Sequence, residues 1–506
     1  MPACERGSTP PAPNEAPSVK ASASAPALAV EPAAPAVSAA PPLRWSEAPP
    51  DVTPPLQAIT GSTLIGGRSY ALLRELTDAY GPRLTGSPVH LGAARWALET
   101  FRTMGVDEAR LEEFDLEAGW DRGRVSLRTV GPVARELSVE AVGWSPAPAG
   151  GTLTAELVLV DNLKDAAKRA SELTGKVVMS ASKRGGRGGF GARKQALKAL
   201  GDAHVGGLLS RSRRYNNAGN AHACYGCDGL VSPLPLFDVG MEDAAWLERR
   251  LEEGEKVTIA FTNESRLSGP RKVPNVVAEV RGREKPDEYV LVGAHLDSWD
   301  FATGAQDDGA GVAQVLEAAR AVLGAGARPR RSIRFVLWGG EEQGLLGSRA
   351  YVKAHAAELD RVVAVVNADH GAGAPKGWWL DAREDLLPRF EPMAKRLFAG
   401  LGPVELKDDF HCDTDHCPFV LEGVPTFNLD VDDKIYNDVH HAPSDTLDKV
   451  NQHDLAAGAA SVAVAAYALA DRPERIGPRL AHAKVTENLK AKNALDDLVA
   501  EGLYKP

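Results

Sequence analysis

The stretch "VLVGAHLDSWDFATGAQDDGAG", residues 290–311, decides the fold because it begins as a buried strand and then becomes acidic. Its first four residues, Val290–Gly293, carry no charge. Five ionisable side chains follow, namely His295, Asp297, Asp300, Asp307 and Asp308. Burying a carboxylate costs several kcal/mol unless a positive charge pairs with it. The stretch contains no Lys or Arg, so the positive charge must come from elsewhere.

Strand-like and helix-like segments alternate on both sides of this stretch, from Asn275 onward. Apolar strands include "NVVAEVRG", "EYVLVGAHLD", "RSIRFVLWGGEE", "VVAVVNADH" and "GVPTFNLDV", and helices include "GAGVAQVLEAARAVL", "GSRAYVKAH" and "LPRFEPMAKRLFAGL". Near-continuous apolar strands separated by helices are typical of an α/β protein. The pattern predicts a three-layer α/β/α sandwich around a mixed, largely parallel sheet.

The remaining segments suggest how the chain is divided. Residues 69–105 predict two amphipathic helices broken by a Gly-Pro turn, and residues 130–268 contain short strand-like runs such as "ELVLVD" and "KVVMSAS". The latter region predicts a smaller β-rich domain inserted into the first one. The predicted parts are a Pro/Ala-rich disordered tether (1–60), a catalytic domain (61–129 and 269–475), the inserted domain (130–268) and a C-terminal helical tail (476–506).

The composition disfavours a nucleic-acid-binding protein. The 506-residue chain has a net charge of −10, whereas a nucleic-acid binder needs a basic face. The basic stretch "KRGGRGGFGARK", Lys183–Lys194, resembles an RNA-binding RGG segment, but a glycine-rich loop leading into a helix is the favoured interpretation. We find no run of about 18 apolar residues and therefore expect no transmembrane helix.

The N-terminal region and the cysteines favour an exported protein, either periplasmic, secreted or anchored to the envelope. Residues 8–56 are rich in Pro, Ala and Ser, a composition typical of a disordered tether. "MPAC" resembles the cleavage region of a bacterial lipoprotein, which would make Cys4 a lipid-bearing residue; a plain disordered tail is the alternative. Local disulfides are expected in an exported chain, without a deduced pairing, among Cys224, Cys227, Cys412 and Cys417.

Metal-type ligands follow one predicted strand after another. The carboxyl ends of strands in an open α/β sheet form the functional crevice. The candidates are His295, Asp297, Asp307, Asp308, Glu341, Glu342, Asp369, His440, His441 and Asp445. Imidazole and carboxylate groups without thiolate suit Zn²⁺ in an open catalytic site. Each motif alone is commonplace, but their joint occurrence at strand ends predicts a hydrolase with two metal ions.

The motifs resemble a known family, the di-zinc exopeptidases, which includes bacterial leucyl aminopeptidases and plasma glutamate carboxypeptidase (carboxypeptidase Q). The resemblance rests on "GAHLDSWDFATGAQDDGAG", "FVLWGGEEQGLLGSRAY", "LTDAYGPRLTGSP", "DTDHCPFVLEGVP" and "HHAPSDT". It spans roughly residues 65–470. The early segment and the insertion are most similar to the carboxypeptidase Q-like branch, in which the region 130–268 would correspond to a protease-associated domain.

The resemblance implies a role for each site residue. Two Zn²⁺ ions per chain would be bound, one by His295 and Asp369, the other by Glu342 and His441. Asp307 would bridge the two ions. His441 is preferred over His440 because it precedes an Asp-Thr dipeptide by four positions, as the family ligand does.

The same resemblance assigns the neighbouring carboxylates. Glu341 would be the general base and acid, and Asp297 would stand behind His295 and orient its second ring nitrogen. Asp308 would follow the bridging residue at a position where the family often has a cis peptide. Asp300 has no assigned role and is expected to be a solvated loop acid.

The expected function is zinc-dependent hydrolysis of peptide bonds near a free terminus, by an aminopeptidase or a dipeptidase. A single-zinc cyclotransferase and a non-catalytic receptor-like protein are the alternatives on this fold. The expected partner is a peptide or dipeptide, not a nucleic acid, and the resemblance also admits a homodimer. Substrate-gripping residues are expected on three loops, near Trp378–Trp379, Phe410–Asp415 and Asp430–Tyr436.

Overall fold

The computed structural model describes residues 53–181 and 190–506. The predicted tether up to residue 52, Cys4 and most of "KRGGRGGFGARK" lie outside the described residues. The strands are β1 (Glu108–Leu116), β2 (Gly119–Asp121), β3 (Val125–Val130), β4 (Glu136–Leu137), β5 (Val139–Ala141), β6 (Thr152–Val160), β7 (Val177–Ser180), β8 (Gly207–Arg211), β9 (Leu236–Val239), β10 (Val257–Asn263), β11 (Arg266–Ser268), β12 (Arg271–Val280), β13 (Lys285–His295), β14 (Arg331–Trp338), β15 (Val362–Asn367), β16 (Pro375–Trp379), β17 (Glu405–Lys407) and β18 (Thr426–Val431).

The α-helices include the two predicted before β1 and those predicted between the strands of the main sheet. They are α1 (Pro54–Leu64), α2 (Ser69–Tyr80), α3 (Pro88–Met104), α4 (Leu163–Lys168), α5 (Phe190–Asp202), α6 (Met241–Glu252), α7 (Ala310–Leu323), α8 (Leu346–Ala354), α9 (Leu387–Leu397), α10 (Cys417–Leu421), α11 (Lys434–Val439), α12 (Gln452–Asp471), α13 (His482–Ala491) and α14 (Leu495–Ala500).

The main sheet has eight strands in the order β1-β12-β14-β13-β15-β18-β16-β17. Its four central strands, β14, β13, β15 and β18, are mutually parallel, and antiparallel pairs flank them. Strand β13 is buried on both faces, as the near-continuous apolar run predicted. The predicted mixed, largely parallel sheet is confirmed.

Helices cover both faces of this sheet and make three layers. Because successive side chains of a strand point to opposite faces, Val290 and Val292 pack into one core with α2, α7 and α12. Tyr289 and Leu291 pack into a second core with α8 and α10. The α/β/α sandwich is therefore confirmed.

Helix α12 corrects one expectation about apolar segments. Within the described residues it is the helix that is long and apolar enough to cross a membrane, with a mean hydropathy of 1.3 over 18 residues. The sequence analysis expected no such stretch. The structure buries 83% of that window, and α12 packs against α1 and α7 in the core. A buried core helix reaches this hydropathy because all of its sides contact other parts of the protein.

A second eight-stranded sheet is formed by residues 125–263, in the order β4-β3-β10-β6-β7-β8-β9-β5. Helices α4, α5 and α6 accompany it. Strand β3 begins at Val125, five residues before the predicted start of the inserted domain at residue 130. This strand alternates buried Leu127 and Thr129 with exposed Ser126 and Arg128, and its two buried positions are too few for an evident apolar run.

Helix α1 begins at Pro54, within the segment 1–60 that was predicted as a tether. Proline fits the first turn of a helix because its missing N–H group has no partner there. Leu56 and Ile59 then bury themselves in the main core. The Pro- and Ala-rich composition hid this helix. At the other end of the chain, α13 and α14 lie in the segment predicted as a helical tail.

Candidate metal centre

The carboxyl ends of three parallel strands bring the predicted ligands together. His295 is the last residue of β13, Glu341 and Glu342 follow β14, and Asp369 follows β15. His295 lies opposite Trp338 in the β13–β14 register, so the two strands end side by side. Parallel strands present their carboxyl ends at the same edge of a sheet. These side chains therefore lie along one edge of the sheet.

Asp307 lies between two histidines. Its Oδ1 is 3.1 Å from His295 Nε2, and its Oδ2 is 3.3 Å from His441 Nε2. The side chain is 5% exposed. One oxygen toward each imidazole is the arrangement that a carboxylate bridging two cations requires.

The other two predicted ligands, Asp369 and Glu342, each lie near a different one of these two histidines. Asp369 Oδ1 is 3.5 Å from His295 Nε2, and Glu342 Oε2 is 2.9 Å from His441 Nε2. His440 Nε2 is 3.6 Å from Asp307 Oδ2, and 38% of its side chain is exposed. The geometry favours His441 over His440, because His441 approaches both Asp307 and Glu342.

The turn that carries Asp307 is held by Asp445. Asp445 Oδ1 accepts hydrogen bonds from the backbone N–H groups of Ala305 and Gln306, and its Oδ2 accepts one from that of Asp307. The peptide bond between Asp307 and Asp308 is cis, the geometry that the resemblance implied. Asp445 thus holds the backbone of Asp307 in place.

The next turn brings the start of α7 against β15. A Cβ atom on Gly311 would lie 2.1 Å from the backbone oxygen of Ala368, the residue before Asp369. Only glycine permits this approach. Asp308 is fully buried here and accepts hydrogen bonds from the backbone N–H groups of His295 and Gly311.

The carboxylate of Asp297 has partners besides His295. His295 Nδ1 lies 2.9 Å from the backbone oxygen of Asp297, but 3.8 Å from its Oδ1. The carboxylate instead accepts a 2.6 Å hydrogen bond from the Thr85 hydroxyl. It also accepts hydrogen bonds from three consecutive backbone N–H groups, those of Gly340 (2.8 Å), Glu341 (3.2 Å) and Glu342 (3.4 Å). Asp297 therefore orients the Glu341–Glu342 turn.

Sequence analysis missed a buried cation, Arg83. Its guanidinium is completely buried and donates hydrogen bonds to the backbone oxygens of Leu296, Thr303 and Gly304. Burial lowers the pKa of Arg83 to about 10, although the nearby carboxylates of Asp445 and Asp297 act to raise this pKa. The guanidinium therefore stays charged at neutral pH. It supplies part of the positive charge missing from residues 290–311. Its motif "GPRLTG" was noted, but nothing in the sequence indicated its partners.

Asp300 is not a solvated acid. Arg122, which precedes the second sheet, donates a 2.8 Å hydrogen bond from Nε to Asp300 Oδ2, and 16% of the Asp300 side chain is exposed. The partner lies 178 residues away in the chain. Asp300 therefore links the loop after β13 to the region of the second sheet.

The charges at the cluster fit divalent cations. Among the described residues, the ion-pair partners of Asp307, Glu342 and Asp369 are histidines. Oε1 of Glu342 is buried and has no hydrogen-bond partner in the described part of the chain. Burial and the Asp307 carboxylate raise the pKa of Glu342 well above its ordinary value. Cations here would satisfy the free oxygen and favour the ionised carboxylates.

The protonation properties of His441 and Glu341 also suit a site for divalent cations. Burial lowers the pKa of His441 to about 4, so its imidazole is neutral and can donate a lone pair. Burial also raises the pKa of Glu341 well above its ordinary value, and Asp369 and Glu342 add to this effect against the opposing field of His295. The ionised form of a carboxyl group with a raised pKa is a stronger base.

A cavity of about 1030 Å³ opens over the cluster. Two of the predicted loops and one of the two tryptophans reach it; Trp378 is fully buried in the core instead. The contributing residues from these loops are Trp379, His411, Cys412, Asp413, Thr414, Asp430, Val431, Asp433 and Tyr436. The disulfides Cys224–Cys227 and Cys412–Cys417 are both local, as expected, and both contribute to the wall.

The α/β/α fold and the cluster of imidazole and carboxylate groups define the class of this protein as a metallohydrolase. Residues 275–466 match the model of peptidase family M28. Carboxypeptidase Q of Rattus norvegicus is 30% identical over 413 residues, covering 81% of this chain and 86% of the relative. Carboxypeptidase Q of Homo sapiens is 29% identical over 421 residues, with coverage of 81% and 86%. The chain belongs to peptidase family M28 and is a metallo-exopeptidase, which confirms the resemblance.

Solved structures agree with this assignment. The peptidase M28 precursor of Shewanella amazonensis SB2B is 31% identical, with a TM-score of 0.74, covering 84% of this chain and 98% of that one. The aminopeptidase of Aneurinibacillus sp. strain AM-1 has the same coverage, a TM-score of 0.63 and 23% identity. The second likeness shows a shared fold.

Proposed function

We propose that the protein is a zinc-dependent exopeptidase with two zinc ions per chain. His295 and Asp369 would bind one ion, Glu342 and His441 the other, and Asp307 would bridge them. The observation that carries the proposal is the position of Asp307, with one oxygen near each histidine. The donor set of imidazoles and carboxylates suits catalytic zinc.

Glu341 is proposed as the general base and acid. Zinc supplies Lewis-acid polarisation of the scissile carbonyl and makes an attacking water more acidic. Glu341 would accept a proton from that water and return it to the leaving amine. Its Oε2 lies 4.0 Å from His295 Nε2, beside the cluster but outside its closest contacts. The Asp297 carboxylate would hold Glu341 in place through the backbone.

Peptides with a free terminus are the proposed substrates. Relatives are named carboxypeptidase Q and aminopeptidase, and peptides are the substrates that membership of a peptidase family implies. Both an aminopeptidase and a dipeptidase fit a cavity of about 1030 Å³, because sites of this size enclose most of a small ligand.

We further propose that the second sheet is an inserted protease-associated domain and that the protein is exported. The sheet uses one continuous part of the chain, residues 125–263, and the main sheet resumes at β12. The two disulfides support an oxidising compartment.

The role of Glu341 is tested by Glu341→Gln, which keeps the shape of the side chain and removes the base. Zinc content, measured by atomic emission, should stay at two per chain, while kcat falls by roughly 10²- to 10⁴-fold. The control is Glu384→Gln, at an exposed position on a separate turn. A zinc-loaded Glu341→Gln enzyme with normal kcat would remove Glu341 from the mechanism.

The substrate class is tested with matched dipeptides, longer free peptides and N-blocked peptides, each with and without a chelator. Free peptides should be cut, and the chelator should abolish cleavage. N-blocked peptides cut as fast as free ones would overturn the assignment as an aminopeptidase or dipeptidase. One zinc per chain at full activity would contradict the two-metal arrangement.

A further inference from the structure

The C-terminal tail, residues 482–506, packs directly on the active-site region. Its apolar side chains Val485, Leu489, Leu495, Leu498 and Tyr504 form one buried cluster with Leu345, Cys417 and Leu421. Leu345 belongs to the turn that carries Glu341, because its N–H group donates to the Glu341 backbone oxygen at 2.9 Å. The tail is therefore attached to the active-site wall by a hydrophobic contact.

Polar contacts fix the tail to the catalytic part of the chain. Asn488 donates a 2.9 Å hydrogen bond from its amide to the backbone oxygen of Ala382, and Lys492 Nζ lies 3.0 Å from Asp408 Oδ2. Cys412 of the second disulfide packs against the same apolar cluster. These contacts leave α14 close to the cavity.

The end of the tail reaches the opposite wall, which belongs to the region of the second sheet. The Glu501 carboxylate accepts a hydrogen bond from the Tyr225 hydroxyl, and α14 packs against α5. Tyr225 lies in the loop closed by Cys224–Cys227 and meets the ring of Phe190, the first residue of α5, edge-on at 5.5 Å. The tail thus connects the two walls.

Two tail residues, Glu501 and Leu503, line the cavity itself, together with Phe190 and Tyr225 of the opposite wall and the metal cluster. A cavity bounded on several sides limits the length of the peptide that can enter it. We propose that the C-terminal tail is a specificity-determining wall that restricts this enzyme to short peptides. The inference rests on the proposed exopeptidase function and adds the length of the peptides that the enzyme accepts.

The experiment compares the zinc-loaded wild type with Glu501→Ala/Leu503→Ala on a dipeptide and a pentapeptide that share their N-terminal residues. The double variant should raise the pentapeptide-to-dipeptide ratio of kcat/KM about tenfold, through a lower KM for the pentapeptide. Its zinc content should match the wild type. A ratio unchanged by the double variant overturns the proposal.

Matched controls separate wall removal from general loosening. Val499→Ala removes an exposed apolar side chain of α14, and Glu487→Ala removes an exposed carboxylate of α13; neither should move the ratio. A chain ending at Ala481 should show a larger increase if it stays folded by circular dichroism, and the double variant decides if it does not. A wild type that cuts no free peptide refutes the proposed function, whereas an unchanged ratio in an active enzyme refutes only the role of the tail.

Discussion

The backbone N–H group of Ala221 donates a hydrogen bond to the backbone oxygen of His441 at 2.9 Å. Ala221 lies in the loop between β8 and β9 of the second sheet, and His441 is a proposed metal ligand in the left-handed backbone region, with φ of 58°. Arg214 of the same loop donates to the backbone oxygen of Asp438 at 2.8 Å. The second sheet therefore holds the loop that carries a ligand of the metal centre.

Ala221→Pro removes this N–H donor, and Ala221→Gly keeps it. A hydrogen bond of this kind contributes about 1 kcal/mol, so the proline variant should lose zinc from the His441 site several-fold more readily. Zinc per chain after dialysis against graded chelator measures the effect. The glycine variant should behave as the wild type. Equal zinc retention in both variants would show that the second sheet does not support the ligand.

Asp297→Asn should impair the Glu341–Glu342 turn without emptying the metal site. The carboxylate accepts hydrogen bonds from Thr85 and from three consecutive backbone N–H groups, and an amide has one oxygen to offer. Leaving buried donors unpaired costs about 1–3 kcal/mol. Urea unfolding should show this loss, and kcat should fall more than zinc content does. Thr85→Val, which removes one donor, should have a smaller effect; equal stability of all three proteins would contradict the role.

Arg83→Met should be among the most destabilising substitutions of a non-ligand residue. It leaves the backbone oxygens of Leu296, Thr303 and Gly304 without this donor and removes the cation beside Asp445 and Asp297. Removing one partner from a buried charge arrangement costs about 3–5 kcal/mol. Thermal and urea unfolding measure the loss. Arg83→Lys keeps the positive charge but lacks the planar guanidinium. The stability of this variant should therefore lie between those of the wild type and Arg83→Met. An Arg83→Met protein as stable as the wild type would show that the buried guanidinium does not stabilise the fold.

His416 should make stability depend on pH. Burial opposes its charged form, but the Asp381 carboxylate, 3.1 Å from Nε2, raises the pKa of His416 above its ordinary value of 6.5. A raised folded-state pKa means that the native protein binds more protons. The stabilisation is therefore complete below pH 6.5 and is lost as pH rises through the folded-state pKa.

Urea unfolding between pH 6 and 9 tests this dependence at constant zinc concentration. The free energy of unfolding of the wild type should fall with pH by up to about 1.4 kcal/mol per unit more than that of His416→Gln. The difference between the two proteins isolates His416 from other groups. Parallel pH profiles would show that His416 does not titrate in this window.

Local patterns predicted the main sheet and the ligand types, and they failed where local signals were short. Strand β13 and helix α7 were evident from residues 290–323 alone, since their apolar periodicity is local. Strands β16 and β17, with five and three residues, were not recognised. Trp378 and Trp379 adjoin in the sequence, yet only Trp379 faces the cavity, because alternate side chains of a strand point to opposite faces.

The sequence by itself determined the family, the α/β class and the kind of ligand at each strand end, because each of these depends on residues close together in the chain. Only the tertiary structure decided that the Asp297 carboxylate holds the Glu341 turn, that Arg83 supplies a buried cation and that Ala221 supports His441. The partners in the last pair are 220 positions apart in the numbering of the chain. Such contacts depend on how separate segments pack, and packing leaves no local signal in the sequence.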